Sequence, residues 1–157
     1  MRETEPDFSK LTFMRVFTPD HIPRELVTQI KEKHFEPDDF YSYLRACCVT
    51  QGADGPKLNP FCHLYVIADE NKHVVGFVWF EIDILEKTIN LQTFSMHPDY
   101  WFKGKAVKML AEFMKKELKK TQMNCIYWHT KYPKHSEKNG FKRSKNILME
   151  YREQVEN

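Results

Sequence analysis

The sequence predicts a mixed α/β domain, a central sheet flanked by helices, and three observations carry that expectation. Residues 103–120 place Ala106, Leu110, Phe113, Met114 and Leu118 at i, i+4, i+7, i+8 and i+12, an apolar stripe at helical spacing. Three runs rich in β-branched and aromatic residues, 61–68, 74–84 and 88–96, follow one another across short polar turns, the pattern of a meander. A length of 157 residues, 41% hydrophobic and 14% aromatic, suffices for one real core and argues against disorder.

The elements follow in order. Residues 11–17 (LTFMRVF) read as a first strand. Thr18-Pro19-Asp20 then caps a helix expected over 21–35, with Ile22, Leu26, Val27 and Ile30 at helical spacing. Pro37-Asp38-Asp39 restarts the chain into a second helix over 40–49. Residues 52–60 (GADGPKLNP) hold two Gly and two Pro in nine positions and read as a loop. After the meander and the helix at 103–120 come a strand at 125–129, a turn or short helix at 133–139 and a final strand at 147–152. The order β-α-α-β-β-β-α-β-α-β describes one domain over residues 1–157, with 1–10 and 153–157 as flexible termini.

Composition excludes several classes. The N-terminus carries Glu3, Glu5 and Asp7 and no apolar core, unlike a signal peptide, and no run approaches the roughly 18 apolar residues of a membrane span. Cys47, Cys48, Cys62 and Cys125 form no C-x-x-C pair, so they read as reduced thiols of a cytoplasmic protein. No metal is expected, because Cys62, His63, Cys125 and His129 lack a recognisable ligand spacing. The formal charge of +2 hides an asymmetry. Residues 103–145 hold 13 Lys or Arg against 3 Asp or Glu, a net of +10, leaving −8 for the remainder. The Lys108, Lys115, Lys116, Lys119 and Lys120 stripe has no interleaved aromatics, so a solvated helix face is the better reading than a nucleic-acid surface.

The chemistry concentrates at residues 94–110, FSMHPDYWFKGKAVKML. A strand ends at Met96, His97-Pro98-Asp99-Tyr100 breaks it, and Gly104 opens the basic helix. Unpaired N–H groups at a helix start, a positive dipole end and flanking Lys103 and Lys105 make an anion site that suits a pyrophosphate. The plainer reading is an ordinary strand-to-helix turn with a solvated basic face.

This segment resembles the signature of the GNAT N-acetyltransferase superfamily. There a strand-end triplet of apolar-x-Val type is followed five residues later by [Arg/Gln]-x-x-Gly-x-[Gly/Ala]. Phe94-Ser95-Met96 and Trp101-Phe102-Lys103-Gly104-Lys105-Ala106 match at that separation. Ser136-Glu137-Lys138-Asn139-Gly140-Phe141 is similar to the family's Tyr-Glu-Lys-x-Gly-Phe run. The resemblance implies a GNAT-like, mostly antiparallel sheet of six or seven strands with about four helices. It implies acetyl-CoA as co-substrate, its pantetheine arm paired with the backbone of Phe94 and Met96 and its pyrophosphate held by amides from Phe102 to Ala106. A small-molecule or protein amine would attack the thioester directly.

The sequence departs from the family pattern at several positions. Trp101 replaces the Arg or Gln at the head of the loop. Asn90 and Gln92 occupy positions where many relatives carry a Glu or His base, and each can at most orient a water. The family's thiolate-protonating Tyr falls on Ser136, a weaker acid. Tyr132, four residues earlier, substitutes only if the turn swings it inward. His129 has a suitable ordinary pKa, against a plainer reading as a strand-end residue. The acidic turn Glu36-Pro37-Asp38-Asp39 suits either a wall for a cationic acceptor or helix capping. These departures leave a second function open, a GNAT-like domain without turnover that binds or supports an assembly. The exposed final strand offers a way to pair two subunits into a homodimer.

Overall fold

The computed structural model describes residues 4–30, 36–52, 55–130, 133–145 and 147–153. Strand β1 (Thr12–Val16), helix α1 (Arg24–Thr28) and helix α2 (Pro37–Cys48) come first, followed by a hairpin of β2 (Val49–Gly52) and β3 (Gly55–Leu58). Then come β4 (Cys62–Ala68), β5 (Val74–Asp83), β6 (Thr88–Met96), α3 (Lys105–Thr121), β7 (Cys125–Trp128) and α4 (Pro133–Lys138). The main sheet runs β1-β4-β5-β6-β7, and the hairpin stands as a separate sheet. Every pair in the main sheet is antiparallel except β6–β7, whose parallel register requires the α3 crossover.

Four expectations need correction. The main sheet has five strands rather than six or seven. Residues 147–153 form no strand among the described residues, and Ile147, Leu148, Met149 and Tyr151 stand exposed. Three consecutive apolar side chains cannot share one face of a strand, so this segment lacks the alternation that fixes a register. The helix expected over 21–35 starts later and is short. Pro19–His21 is a 3-10 turn capped by Thr18, and Pro23 forces Ile22 into an extended backbone, which resets the helix to Arg24. Residues 31–35 lie outside the described residues. Finally, 52–60 is no plain loop. β2 pairs β3 from Val49 against Leu58 to Gly52 against Gly55, and a two-stranded ladder tolerates Pro56.

Alternation along the strands sends side chains to two cores. Leu64, Val66, Phe77 and Trp79 meet Leu26 and Val27 of α1 and Phe40 and Leu44 of α2. On the opposite face Tyr65, Val78, Phe80 and Leu91 meet Leu110 and Met114 of α3. All seven residues of β4 are buried, as a central strand covered on both faces requires. The stripe read from the sequence packs as expected through Ala106, Leu110 and Met114, and Phe113 stacks on Phe13 at 4.0 Å. Cys62 is buried and Cys125 partly so, and neither is in a disulfide.

Candidate functional site

β6 is the strand around which the site is built. It pairs with β7 only from Thr88–Cys125 to Leu91–Trp128. Beyond Leu91 it keeps β5 on one side and, among the described residues, no strand on the other. At the split the β5 ladder slips: Phe80 opposes Leu91 and Trp79 opposes Thr93, so Gln92 is the extra residue of a bulge. His97 N–H donates to the Val75 carbonyl at 2.7 Å. In an antiparallel ladder this sets Ser95 and Thr93 as the bonded partners of β5, so Phe94 and Met96 turn their N–H and C=O groups toward the open side. The Met96 carbonyl already accepts from the Gln29 amide at 2.9 Å and the Trp101 indole N–H at 3.1 Å. Ser95 faces α1, its hydroxyl donating to the Leu26 carbonyl at 2.8 Å.

Trp101 is half-exposed and leans on the strand end. Its ring stands edge-on to Phe94 at 5.6 Å while its N–H caps the strand end. His97 is used as a cap, Nδ1 accepting from the Asp99 N–H at 3.2 Å ahead of the Pro98–Tyr100 3-10 turn. Lys103 (φ 48°) and Gly104 (φ 76°) are consecutive left-handed residues, and Gly104 is the N-cap of α3. This turn bonds Lys105 N–H to the Phe102 carbonyl and Lys108 N–H to the Gly104 carbonyl. The amides of Lys103, Gly104, Ala106 and Val107 make no such bond among the described residues, leaving a donor-rich turn at the positive end of a 17-residue helix. Lys105 pairs with Glu5, so part of its charge is already answered.

One neighbour of this turn was invisible in the sequence. A Cβ on Gly104 would lie 2.8 Å from His135 Nδ1, so α4 closes onto the turn and only glycine satisfies both φ and space. The next residue, Ser136, is 4% exposed, and its hydroxyl has no hydrogen-bond partner among the described residues. Its carbonyl accepts from the Asn139 and Phe141 N–H groups, while Phe141 packs edge-on to Trp128 at 5.9 Å. His129 is exposed just past β7. Tyr132 lies outside the described residues. The structure thus brings Gln92, Phe94, Ser95, Met96 and Trp101 together along one strand end, with Phe102 to Ala106 beyond it. Glu36 to Asp39 is put to structural use: Asp38 accepts from Arg24 at 2.6 Å, which holds its carboxyl below the usual range. The side chains of Lys108, Lys115, Lys116, Lys119 and Lys120 are exposed.

A carboxylate that the sequence reading passed over lies on the neighbouring strand. Glu81 is half-buried in a cleft of about 290 Å³ that Asp83 and Asn90 also line, and burial alone pushes its pKa up. Acidic residues at every second position of an otherwise apolar strand, VWFEID, were the signal that could have revealed it.

Residues 22–141 match the family model described as Acetyltransferase (GNAT) family. The chain belongs to the GNAT acetyltransferase family. A search of curated protein sequences finds no match. Solved structures share the fold. A point variant of the spermidine N-acetyltransferase SpeG from Vibrio cholerae aligns with a TM-score of 0.63 at 16% identity, covering 91% of this chain and 86% of that one. A chimera of SpeG from Vibrio cholerae and hSSAT aligns with a TM-score of 0.65 at 15% identity, over 92% and 88%. AAC(6')-Iy in complex with the bisubstrate analog CoA-S-monomethyl-acetylneamine aligns with a TM-score of 0.60 at 13% identity, over 92% and 99%. Among the described residues of this GNAT chain no group of three or more His, Cys, Asp and Glu is placed to hold a metal ion. No helix there is long and apolar enough to cross a membrane.

Proposed function

We propose that this GNAT chain transfers an acetyl group from acetyl-CoA to an amine. The observation that carries the reading is the opening of β6 away from β7 beside the left-handed Lys103-Gly104 turn. An extended, amide-bearing arm suits the first and a diphosphate the second. Phe94 supplies free backbone groups toward the arm; Met96 supplies its N–H, its carbonyl being engaged by Gln29 and Trp101. Phe102 to Ala106, with Ser95 behind the strand and Trp101 beside it, form the surroundings of the cofactor.

The amine nitrogen attacks the thioester carbonyl, the C–S bond breaks and the thiolate takes a proton. Gln92, in the bulge where the strands part, is assigned to orient the reacting groups or a water. Ser136, His129 and Tyr132 are the assigned candidates for returning the proton to sulfur. The relatives named for spermidine and neamine-derived ligands support a small amine acceptor. The test is release of free thiol from acetyl-CoA on a panel of amines. Turnover with a defined amine supports the reading. A chain that binds acetyl-CoA and consumes none with any amine is a binding domain instead.

A further inference from the structure

Residues 4–11 lie ahead of the segment that matches the family model, and they run to the head of α3. Pro6 is buried, and Phe8 and Leu11 pack on the cluster of Ile67, Met96 and Ala106. Phe8 also stands edge-on to Tyr100 at 5.7 Å. Asp7 accepts the Ser9 N–H at 3.0 Å and caps the 3-10 turn Phe8–Lys10, and Lys10 pairs with Glu70 at 3.1 Å. Met96 ends β6 and Ala106 is the second residue of α3, so this segment is seated on the junction from which the Lys103-Gly104 turn is built.

One residue before Pro6, the Glu5 carboxylate pairs with the ammonium of Lys105, the first residue of α3. Lys105 stands between the unbonded amides of Gly104 and Ala106, and its ammonium lies 6.0 Å from the centre of the Phe102 ring. A helix start favours a carboxylate, yet the first turn of α3 holds no acidic residue of its own. The carboxylate that meets this positive end comes instead from 100 positions away in the chain. An exposed ion pair is weak alone. Here the anchor at Phe8 is three residues from Glu5, a reach of at most about 10 Å, so the effective concentration of the carboxylate at Lys105 is high.

We propose that Glu5 is an internal competitor for the anion site at the head of α3, holding Lys105 until a diphosphate displaces it. The proposal rests on the donor-site reading of that turn and adds a control to it. A diphosphate offers more charge and more acceptor oxygens than one carboxylate. It can take the amides of Lys103, Gly104 and Ala106 together with the Lys105 ammonium, so it prevails in the exchange. Its apparent affinity is lowered by the fraction of molecules in which Glu5 sits on Lys105. Pro6 and Phe8 keep their places, so the exchange moves the Glu5 side chain and leaves the segment seated. Asp7 is turned to its own cap, accepting from both the amide and the hydroxyl of Ser9.

The experiment titrates CoA, and separately inorganic pyrophosphate, into wild type, Glu5→Gln and Asp7→Asn by calorimetry. Asp7→Asn removes an equal charge two residues away and keeps the cap, because Asn caps as well as Asp. Glu5→Gln is expected to tighten both ligands by about threefold to tenfold, whereas Asp7→Asn leaves both within about 1.5-fold. Binding by Glu5→Gln where wild type shows none is the same result in stronger form. Unchanged or weaker binding by Glu5→Gln overturns the proposal and, where wild type binds CoA, leaves the donor site standing. An equal gain from Asp7→Asn also overturns it, because Glu5 then acts by general repulsion and not by occupying Lys105. No CoA binding by wild type or Glu5→Gln removes the donor site and the proposal together.

Discussion

The two sides of the β6 split are built on opposite plans. Toward α3, the proposed donor site is backbone: a strand edge open at Phe94 and Met96, and a left-handed Lys103-Gly104 turn whose side chains matter less than its geometry. Toward α1 and α2, the surface is side chain: Glu81 and Asp83 from β5, Asn90 from β6 and Phe61 ahead of β4 line a cleft. A backbone site tolerates the change to Trp101, because the N–H groups remain whatever the residue. A side-chain site can change its ligand by one substitution.

The largest effect should come where both halves share support. Phe80 is fully buried beneath Glu81, stacked on His63 at 4.9 Å. Phe80→Ala should cost about 3–5 kcal/mol in urea unfolding. Amine and acetyl-CoA binding should weaken together, and loss of only one would show that the halves fold independently.

Next, Gly104→Val should separate them. A Val at φ 76°, with its Cβ against His135, distorts the donor turn. Acetyl-CoA affinity should fall about 100-fold (roughly 2.7 kcal/mol) by calorimetry, while binding of the acceptor amine stays within twofold.

Acid should then distinguish the faces by sign. Burial, reinforced by the Arg15 charge, lowers the His63 pKa to about 4 against an ordinary 6.5. The unfolded chain therefore takes up that proton first, and stability is lost as pH falls from 6.5 toward 4, by an amount of order 2 kcal/mol. His63→Phe should flatten this decline in thermal melts between pH 7 and 4. Glu81 has the opposite sign: its raised pKa makes the folded state the better proton acceptor, so its charge opposes folding at neutral pH. Glu81→Gln should accordingly raise Tm by about 1–2 °C at pH 7.

How far the sequence was legible follows the same division. The proposed donor half is local, its residues falling within 94–106, so spacing along the chain alone suggested it. Glu81, Asn90 and Phe61 meet only through strand register, and Gln92 becomes the extra residue only through a bulge, which no linear spacing displays. His135 reaches Gly104 across a helix packing that the sequence did not specify. The meander and α3 were readable because alternation and helical period were each sustained. The final segment misled because Ile147, Leu148 and Met149 are apolar without alternating.

The smallest effect concerns the acceptor. Asp38 is exposed and paired with Arg24, so Asp38→Asn should leave the amine KM within twofold in the thiol-release assay. A tenfold rise would place the acceptor wall at the start of α2.

The most direct measurement is a calorimetric titration of acetyl-CoA into the wild-type chain, with Gly104→Val and Glu81→Gln titrated beside it. Saturable one-to-one binding that is lost in Gly104→Val and retained in Glu81→Gln is the predicted result. No heat of binding at millimolar acetyl-CoA, or equal binding by the Gly104 variant, would contradict a donor site built on the turn ahead of α3.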